Sequence, residues 1–474
     1  MNYDLILRNA TVIDGTRAPR FAADIAVVNG RIASIGSLDY ERAEVEIEAG
    51  GRIVAPGFID THTHDDRLML SAPEMTPKVS QGVTTVVAGN CGISLAPAPN
   101  GMDKPVTPPL DLLDENGSWF SFRSFRDYVA ALRAQPPATN CALLVGHTML
   151  RLQTMDNLER PASDGEVKRM RALADEALAA GAIGVSTGLF YEPARAASTE
   201  EVIEVCRPLA ARNGVYATHM RDEGDRVVES LEETFRIGRE LGVPVVISHH
   251  KVAGTRNHGR SNETLRLIEE RMRSQAIGLD CYPYPASSTI LSASRAAAAQ
   301  KTLVTWSKPH PEVAGMDLAD LEIPIEQLLP AGAIYFTMDE ADVRRILAFE
   351  HTMIGSDGLP HDAFPHPRLW GTFARVLGHY SRGLNLFPLE TAVYKMTGLP
   401  AKTFGLQDRG VLKPGMAADI TIFDADDVDE TATFTRPIQA AKGIDSVIVN
   451  GTVVWRDGKS TGARPGQVLT RGST

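Results

Sequence analysis

The sequence predicts an α/β protein: a parallel (β/α)8 barrel of the TIM type, with a small β domain formed by both termini and an inserted segment near the barrel mouth. Three observations carry this. Candidate strands and amphipathic helices alternate through the middle of the chain. His219, His249 and Cys281 lie 30 and 32 residues apart, about one strand–helix unit each. Both ends of the chain read as short strands joined by Asn-Gly turns.

At the N-terminal end, residues 3–7 alternate in polarity, and residues 24–32 place Asn29-Gly30 where a tight hairpin turns. At the other end, residues 418–424 are strand-like and 446–455 form a second hairpin around Asn450-Gly451. The matching character of the two ends assigns residues 1–54 and 413–474 to one small β domain, with the barrel at 55–412. Barrel strands are expected at 58–64, 83–91, 141–147, 182–188, 215–220, 244–250, 277–283 and 352–357. Several helices between them announce themselves. Ser163 and Glu166 form a capping box before Val167, Met170, Leu173, Ala174, Ala177 and Leu178, which share a face. Ser198 and Glu201 repeat the box, and residues 226–241 set Val227, Val228, Leu231, Phe235 and Leu241 at helical spacing. The rhythm breaks between Tyr284 and Tyr335, too long an interval for one crossover. An insertion at about 285–335, including 295–300 and 306–311, is expected over the barrel mouth, either as a substrate lid or as a purely structural excursion.

The bulk properties narrow the class. Of 474 residues, 43% are hydrophobic and 23% charged, as in ordinary soluble proteins. No stretch approaches the roughly 18 apolar residues of a membrane span, and the first residues lack the pattern of a secretion signal. A net charge of −11 without any Lys/Arg-rich run argues against a nucleic-acid partner. Cys91, Cys141, Cys206 and Cys281 are too few for a disulfide framework in so long a chain. The expectation is a cytoplasmic monomer or small homo-oligomer with no membrane or nucleic-acid partner.

The chemistry concentrates at the strand ends. His62 and His64 are alternate residues at the end of the apolar run 54–60, so both imidazoles leave one face of the strand. Later strands finish on Cys91, His219, His249 and Asp357, each a metal-ligand type. In a parallel barrel these ends meet at one mouth. Cys91 stands in the turn Gly89-Asn90-Cys91-Gly92, whereas the other three cysteines read as small buried apolar residues. His250 points to the strand face opposite His249 and is not expected to bind metal. The set reads as a metallohydrolase. Asp357, at the last strand end, can touch metal, water and substrate, and it is the expected catalytic base and acid.

These residues carry a resemblance. The chain resembles the amidohydrolase superfamily and, within it, the bacterial N-acyl-D-amino-acid deacylases. The matching stretches are 56–65 (PGFIDTHTHD), 81–97 (QGVTTVVAGNCGISLAP), 216–223 (YATHMRDE), 245–251 (VVISHHK), 280–284 (DCYPY), 353–361 (MIGSDGLPH) and 366–373 (HPRLWGTF). The resemblance implies zinc held tightly by Cys91, His219 and His249, with a second, weaker site at His62, His64 and Asp357 that shares Cys91. It implies that Lys251, Tyr282 and Arg368 surround a substrate carboxylate, with Ser288 as a lesser polar contact. Phe190, Tyr335 and Met338 match an apolar side-chain pocket, which favours D-leucine, D-methionine and D-phenylalanine over acidic residues. The implied substrate is a small N-acyl-D-amino acid. Cyclic-amide hydrolysis of the hydantoinase or dihydroorotase type, deacylation of acidic D-residues and a non-catalytic relative are the alternatives.

Overall fold

The computed structural model describes residues 3–99 and 106–472; the first two residues of the expected small β domain fall outside this range. Eight parallel strands form the barrel in chain order: Phe58–Asp60, Val83–Ala88, Asn140–Gly146, Gly184–Gly188, Val215–His219, Val245–Ile247, Ile277–Cys281 and Thr352–Ile354. Every residue in them is buried, which explains their near-continuous apolar runs. The ladder is thinnest where the eighth strand returns to the first. There the seam is held by a Thr63–Gly358 bridge and by the Asp357 amide donating to the His62 carbonyl at 2.8 Å.

Strands from both chain ends form one sheet. Ile420–Phe423 lies antiparallel to Ile53–Pro56, which in turn pairs with Tyr3–Val12. Both Asn-Gly pairs adopt the left-handed backbone that such hairpins require: φ is 51° and 71° at Asn29 and Gly30, and 47° and 80° at Asn450 and Gly451. The two turns meet, since a Cβ on Gly451 would lie 2.8 Å from the Gly30 Cα. The last strand, Val468–Leu469, leaves this sheet and pairs with Asn140–Gly146 of the barrel. Two residues are too few to show any periodicity in the sequence.

Residues 287–335 form an antiparallel sheet of Ser287–Ile290, Thr302–Ser307 and Ala331–Tyr335, with a short helix at Ala293–Ala298. The Ser163/Glu166 capping box is present, with the Ser163 amide donating to Glu166 Oε2 at 2.7 Å. The second box forms only halfway. Ser198 Oγ accepts from the Glu201 amide at 3.1 Å, but the Glu201 carboxylate turns away to buried Arg151 and the Ala162 amide. A buried guanidinium outbids a single capping amide.

A polar cluster joins the small sheet to the barrel floor. Asp419 binds Arg409, accepts from Asn140 Nδ2 at 2.9 Å and accepts from the Asn450 amide at 2.7 Å. Asn450 Nδ2 in turn donates to Asn140 Oδ1 at 2.7 Å. Asp419→Ala would leave the buried Arg409 with only its 3.4 Å contact to Asp408 and is expected to lose roughly 3 kcal/mol in urea unfolding. A change below about 0.5 kcal/mol would mean that the cluster is incidental.

Candidate metal centre

The strand ends bring His62, His64, Cys91, His219, His249 and Asp357 together, all buried. Three groupings place one donor atom per residue within 4.8 Å of one another: His62/His64/Cys91, Cys91/His219/His249 and His62/His249/Asp357. Cys91 Sγ is 3.2 Å from His62 Nε2 and 3.3 Å from His249 Nε2. Asp357 Oδ1 is 3.3 Å from His64 Nε2 and 3.6 Å from His62 Nε2. His250 turns outward to Thr264 Oγ1 at 2.9 Å, as strand alternation requires.

The backbone is bent to achieve this. Cys91, His249 and Asp357 have φ of 53°, 35° and 51°, a left-handed region that non-glycine residues enter at a cost. Gly89 makes the Cys91 turn possible: its φ is 82°, and a Cβ there would sit 2.0 Å from the Leu144 carbonyl oxygen. That the only non-glycine left-handed residues in the site are three of its donors ties the strain to ligand placement.

A second layer orients these donors. Glu223 Oε1 accepts from Lys251 Nζ at 2.7 Å and lies 3.0 Å from His249 Nδ1, which is itself 2.8 Å from Lys251 Nζ. These contacts fix the His249 ring with Nε2 toward Cys91 and the centre. Asp280 Oδ1 accepts from the His249 amide at 2.8 Å and lies 3.5 Å from His62 Nδ1. Sequence reasoning passed over both carboxylates. An aspartate inside the buried apolar strand Ile277–Cys281 was the available signal for Asp280; Glu223 lies in a turn and offered none.

Burial by itself would raise the acid pKa values here. At Cys91 the facing His62 and His249 imidazoles outweigh burial and hold the thiol well below its ordinary range. At Asp357 burial is outweighed by the Arg368 guanidinium and by His64, which keep the carboxyl ionised. At Glu223 it is outweighed by Lys251, His219 and His249. The cluster therefore offers a thiolate, imidazoles and a carboxylate, a donor set that suits zinc. Both ring nitrogens of His219 are buried without a hydrogen-bond partner among the described residues, as is His64 Nδ1. Such orphaned nitrogens are costly unless an ion or water takes them, so the residues fit a metal.

The centre opens into a cavity of about 640 Å³ beneath the insertion. Of the expected substrate contacts, Lys251, Ser288, Phe190 and Tyr335 line it; Tyr282, Arg368 and Met338 do not. Arg368 is fully buried, with Nη1 3.0 Å from Asp357 Oδ2 and Nη2 donating to the Ser288 carbonyl at 3.1 Å. Its guanidinium lies 4.6 Å from the Tyr282 ring centre. Tyr282 in turn donates to Met338 Sδ at 3.7 Å. Arg295, on the inserted helix, lines the cavity with its guanidinium 4.1 Å from the Phe190 ring centre. No helix among the described residues is long and apolar enough to cross a membrane.

Comparison with known proteins places this architecture. An amidohydrolase family model matches residues 45–277 and 315–455. The chain is 58% identical over 477 residues to a D-aminoacylase of Alcaligenes xylosoxydans xylosoxydans, covering 99% of this chain and 98% of that one. It is 53% identical to the N-acyl-D-aspartate deacylase of the same organism, over 99% and 95% of the two chains. A crystal structure of D-aminoacylase superposes with a TM-score of 0.96 at 59% identity, covering 99% of this chain and 100% of that one. An N-acyl-D-glutamate deacylase from Bordetella bronchiseptica, solved with zinc and a phosphonate inhibitor, gives 0.95 at 45% identity with the same coverage. By family model, by end-to-end identity and by the metal-type donors at its strand ends, the chain belongs to the amidohydrolase family.

Proposed function

We propose that the protein hydrolyses N-acyl-D-amino acids to a carboxylate and a free D-amino acid, using zinc. The observation that supports this most is the Cys91/His219/His249 donor set beside the Asp357 carboxylate in the lining of a substrate-sized cavity. One zinc ion belongs at Cys91, His219 and His249, with a weaker second position among His62, His64 and Asp357 that shares Cys91. Bound zinc supplies Lewis acidity toward the amide carbonyl and acidifies water.

The remaining work falls to the chain's own residues. Asp357 Oδ1 takes the proton of the attacking water and returns it to the departing amine nitrogen. Its low proton affinity, enforced by Arg368 and His64, keeps it ionised and ready to accept. His249 keeps its orientation through Glu223, and the inserted sheet shields the reacting atoms from bulk water. Lys251 lines the cavity, and Arg368 carries a buried Nε without a hydrogen-bond partner among the described residues. The reading assigns the substrate α-carboxylate to these two cations and Tyr282, with Lys251 at the cavity wall and Arg368 behind Asp357.

The Phe190 and Tyr335 rings give the side-chain pocket aromatic walls, with Met338 behind them, which suits neutral residues such as D-leucine, D-methionine and D-phenylalanine. One observation favours a second reading. The Arg295 guanidinium lies over both rings and has no carboxylate partner among the described residues, so an acidic D-residue would find a counter-charge there. Cyclic-amide hydrolysis has support only from the fold: a D-hydantoinase superposes with a TM-score of 0.62 at 16% identity.

Amine release from N-acetyl-D-methionine, its L enantiomer and N-acetyl-D-aspartate tests these readings together. The D-methionine derivative is expected to be cleaved at least about a hundredfold faster than the L form, and Arg368→Ala should cut kcat/KM for it by at least about tenfold. Preference for the L enantiomer would overturn the assignment, and preference for D-aspartate would transfer it to the Arg295 reading.

Two substitutions separate metal binding from proton transfer. Cys91→Ala reduces the tight site from three protein ligands to two and should remove both zinc and turnover. Asp357→Asn should retain zinc at the tight site while kcat falls by about 10³-fold or more, because an amide cannot act as a base. Full zinc in the first variant, or lost zinc in the second, would contradict these roles by elemental analysis.

A further inference from the structure

Lys78 lies on the short helix Thr76–Val79 after the first barrel strand and is fully buried. Its ammonium meets three oxygens: Ser356 Oγ at 2.8 Å, Asp60 Oδ2 at 2.9 Å and Asp65 Oδ2 at 3.3 Å. The ammonium donates to Ser356 and Asp60, and its charge holds Asp65 as an ion pair. Every one of these oxygens belongs to a neighbour of a candidate ligand. Asp60 precedes His62 by two residues, Asp65 follows His64, and Ser356 precedes Asp357. The other oxygen of Asp60 accepts from the Ser356 amide at 2.8 Å and from the His62 amide at 3.4 Å.

The location explains the need. The eighth and first strands share no continuous ladder; the seam carries the Thr63–Gly358 bridge, the Asp357 amide on the His62 carbonyl, and the Thr61 amide and hydroxyl on the Ile354 carbonyl at 3.4 and 3.0 Å. The 3.3 Å contact between Asp357 and His64 crosses this seam. Lys78, Asp60, Asp65 and Ser356 are absent from the cavity lining, so none of them is placed to touch substrate.

We propose that Lys78 is a positioning residue that cross-links the first and eighth strand ends and thereby fixes Asp357 against His62 and His64. It acts on one half of the centre. The Cys91/His219/His249 half is built on the second, fifth and sixth strands and does not cross the seam. The inference rests on the reading of Asp357 as the proton-transfer group.

The test uses Lys78→Met and Ser356→Ala, each alone and combined with Asp357→Asn, in full-length protein. Zinc retained against a competing chelator should be unchanged. kcat should fall at least about tenfold for Lys78→Met and about threefold for Ser356→Ala, with KM within about twofold. In the Asp357→Asn background either change should cost almost nothing further, because both act through the same carboxylate. A purely structural role would release zinc, or would multiply the losses in the double variants. Either result, or unchanged kcat in the single variants, overturns the proposal. Should Lys78→Met fail to fold, Ser356→Ala decides by the same readings. Should the wild-type protein cleave none of the amides, the functional reading fails separately. The cross-link is then judged by the crystal structure of Ser356→Ala, in which the His64–Asp357 contact opens beyond hydrogen-bond reach if Lys78 positions it and stays closed if it does not.

Discussion

At the C-terminal end of the barrel a thiol, the imidazoles of His62, His64, His219 and His249, and the carboxylates of Glu223, Asp280 and Asp357 are buried in mutual contact. In its charged form none of these groups could be buried alone, because an unpaired charge taken from water costs several kcal/mol or more. Each is tolerated because its neighbours carry the complementary charge or donor: Arg368 beside Asp357, Lys251 beside Glu223, His62 and His249 beside Cys91. The strained backbone at Cys91, His249 and Asp357 follows from the same requirement, since a relaxed strand end would turn the donors away from one another. A bound cation would be drawn in by the negative charge of the thiolate and carboxylates and would take the lone pair of a His219 ring nitrogen that has no hydrogen-bond partner among the described residues.

What the sequence disclosed, and what it withheld, follows from how far each feature depends on tertiary contact. His62, His64, Cys91, His219, His249 and Asp357 were legible because strand alternation and barrel topology fix where a strand-end residue points. The Asn-Gly hairpins were legible because few other residue pairs accept two left-handed conformations in succession. Glu223, Asp280 and Lys78 were not, because their roles exist only through partners distant in sequence; Lys78 and Ser356 are 278 residues apart. The clamp residues fall between. Lys251 reaches the cavity as expected, but Arg368 is drawn behind Asp357 by a charge that only the folded chain brings near. Glu201 shows the reverse case, in which a capping pattern was present and a buried arginine took the carboxylate.

Fold alone would leave the chemistry open. Hydantoinases share the architecture at 15–18% identity, so the barrel supports more than one amide-hydrolysing site. The chemistry here rests on local elements: a cysteine among the donors, an inserted sheet beside the cavity, and Lys251 and Arg295 in its lining. One crystal structure of a D-aminoacylase relative, with a TM-score of 0.96, is described in terms of one-metal activation and second-metal attenuation. Of the three donor groupings here, two share Cys91 and the third draws on Asp357; under the proposed mechanism a second ion at the third would occupy the group assigned to proton transfer.

Stepwise return of zinc to the metal-free protein tests that division most directly, with amide hydrolysis followed at each addition. If zinc at Cys91, His219 and His249 works beside an unliganded Asp357, activity rises linearly and reaches its maximum at one equivalent. Activity that stays low until a second equivalent has bound would contradict the account, because Asp357 would then serve as a ligand in the working enzyme.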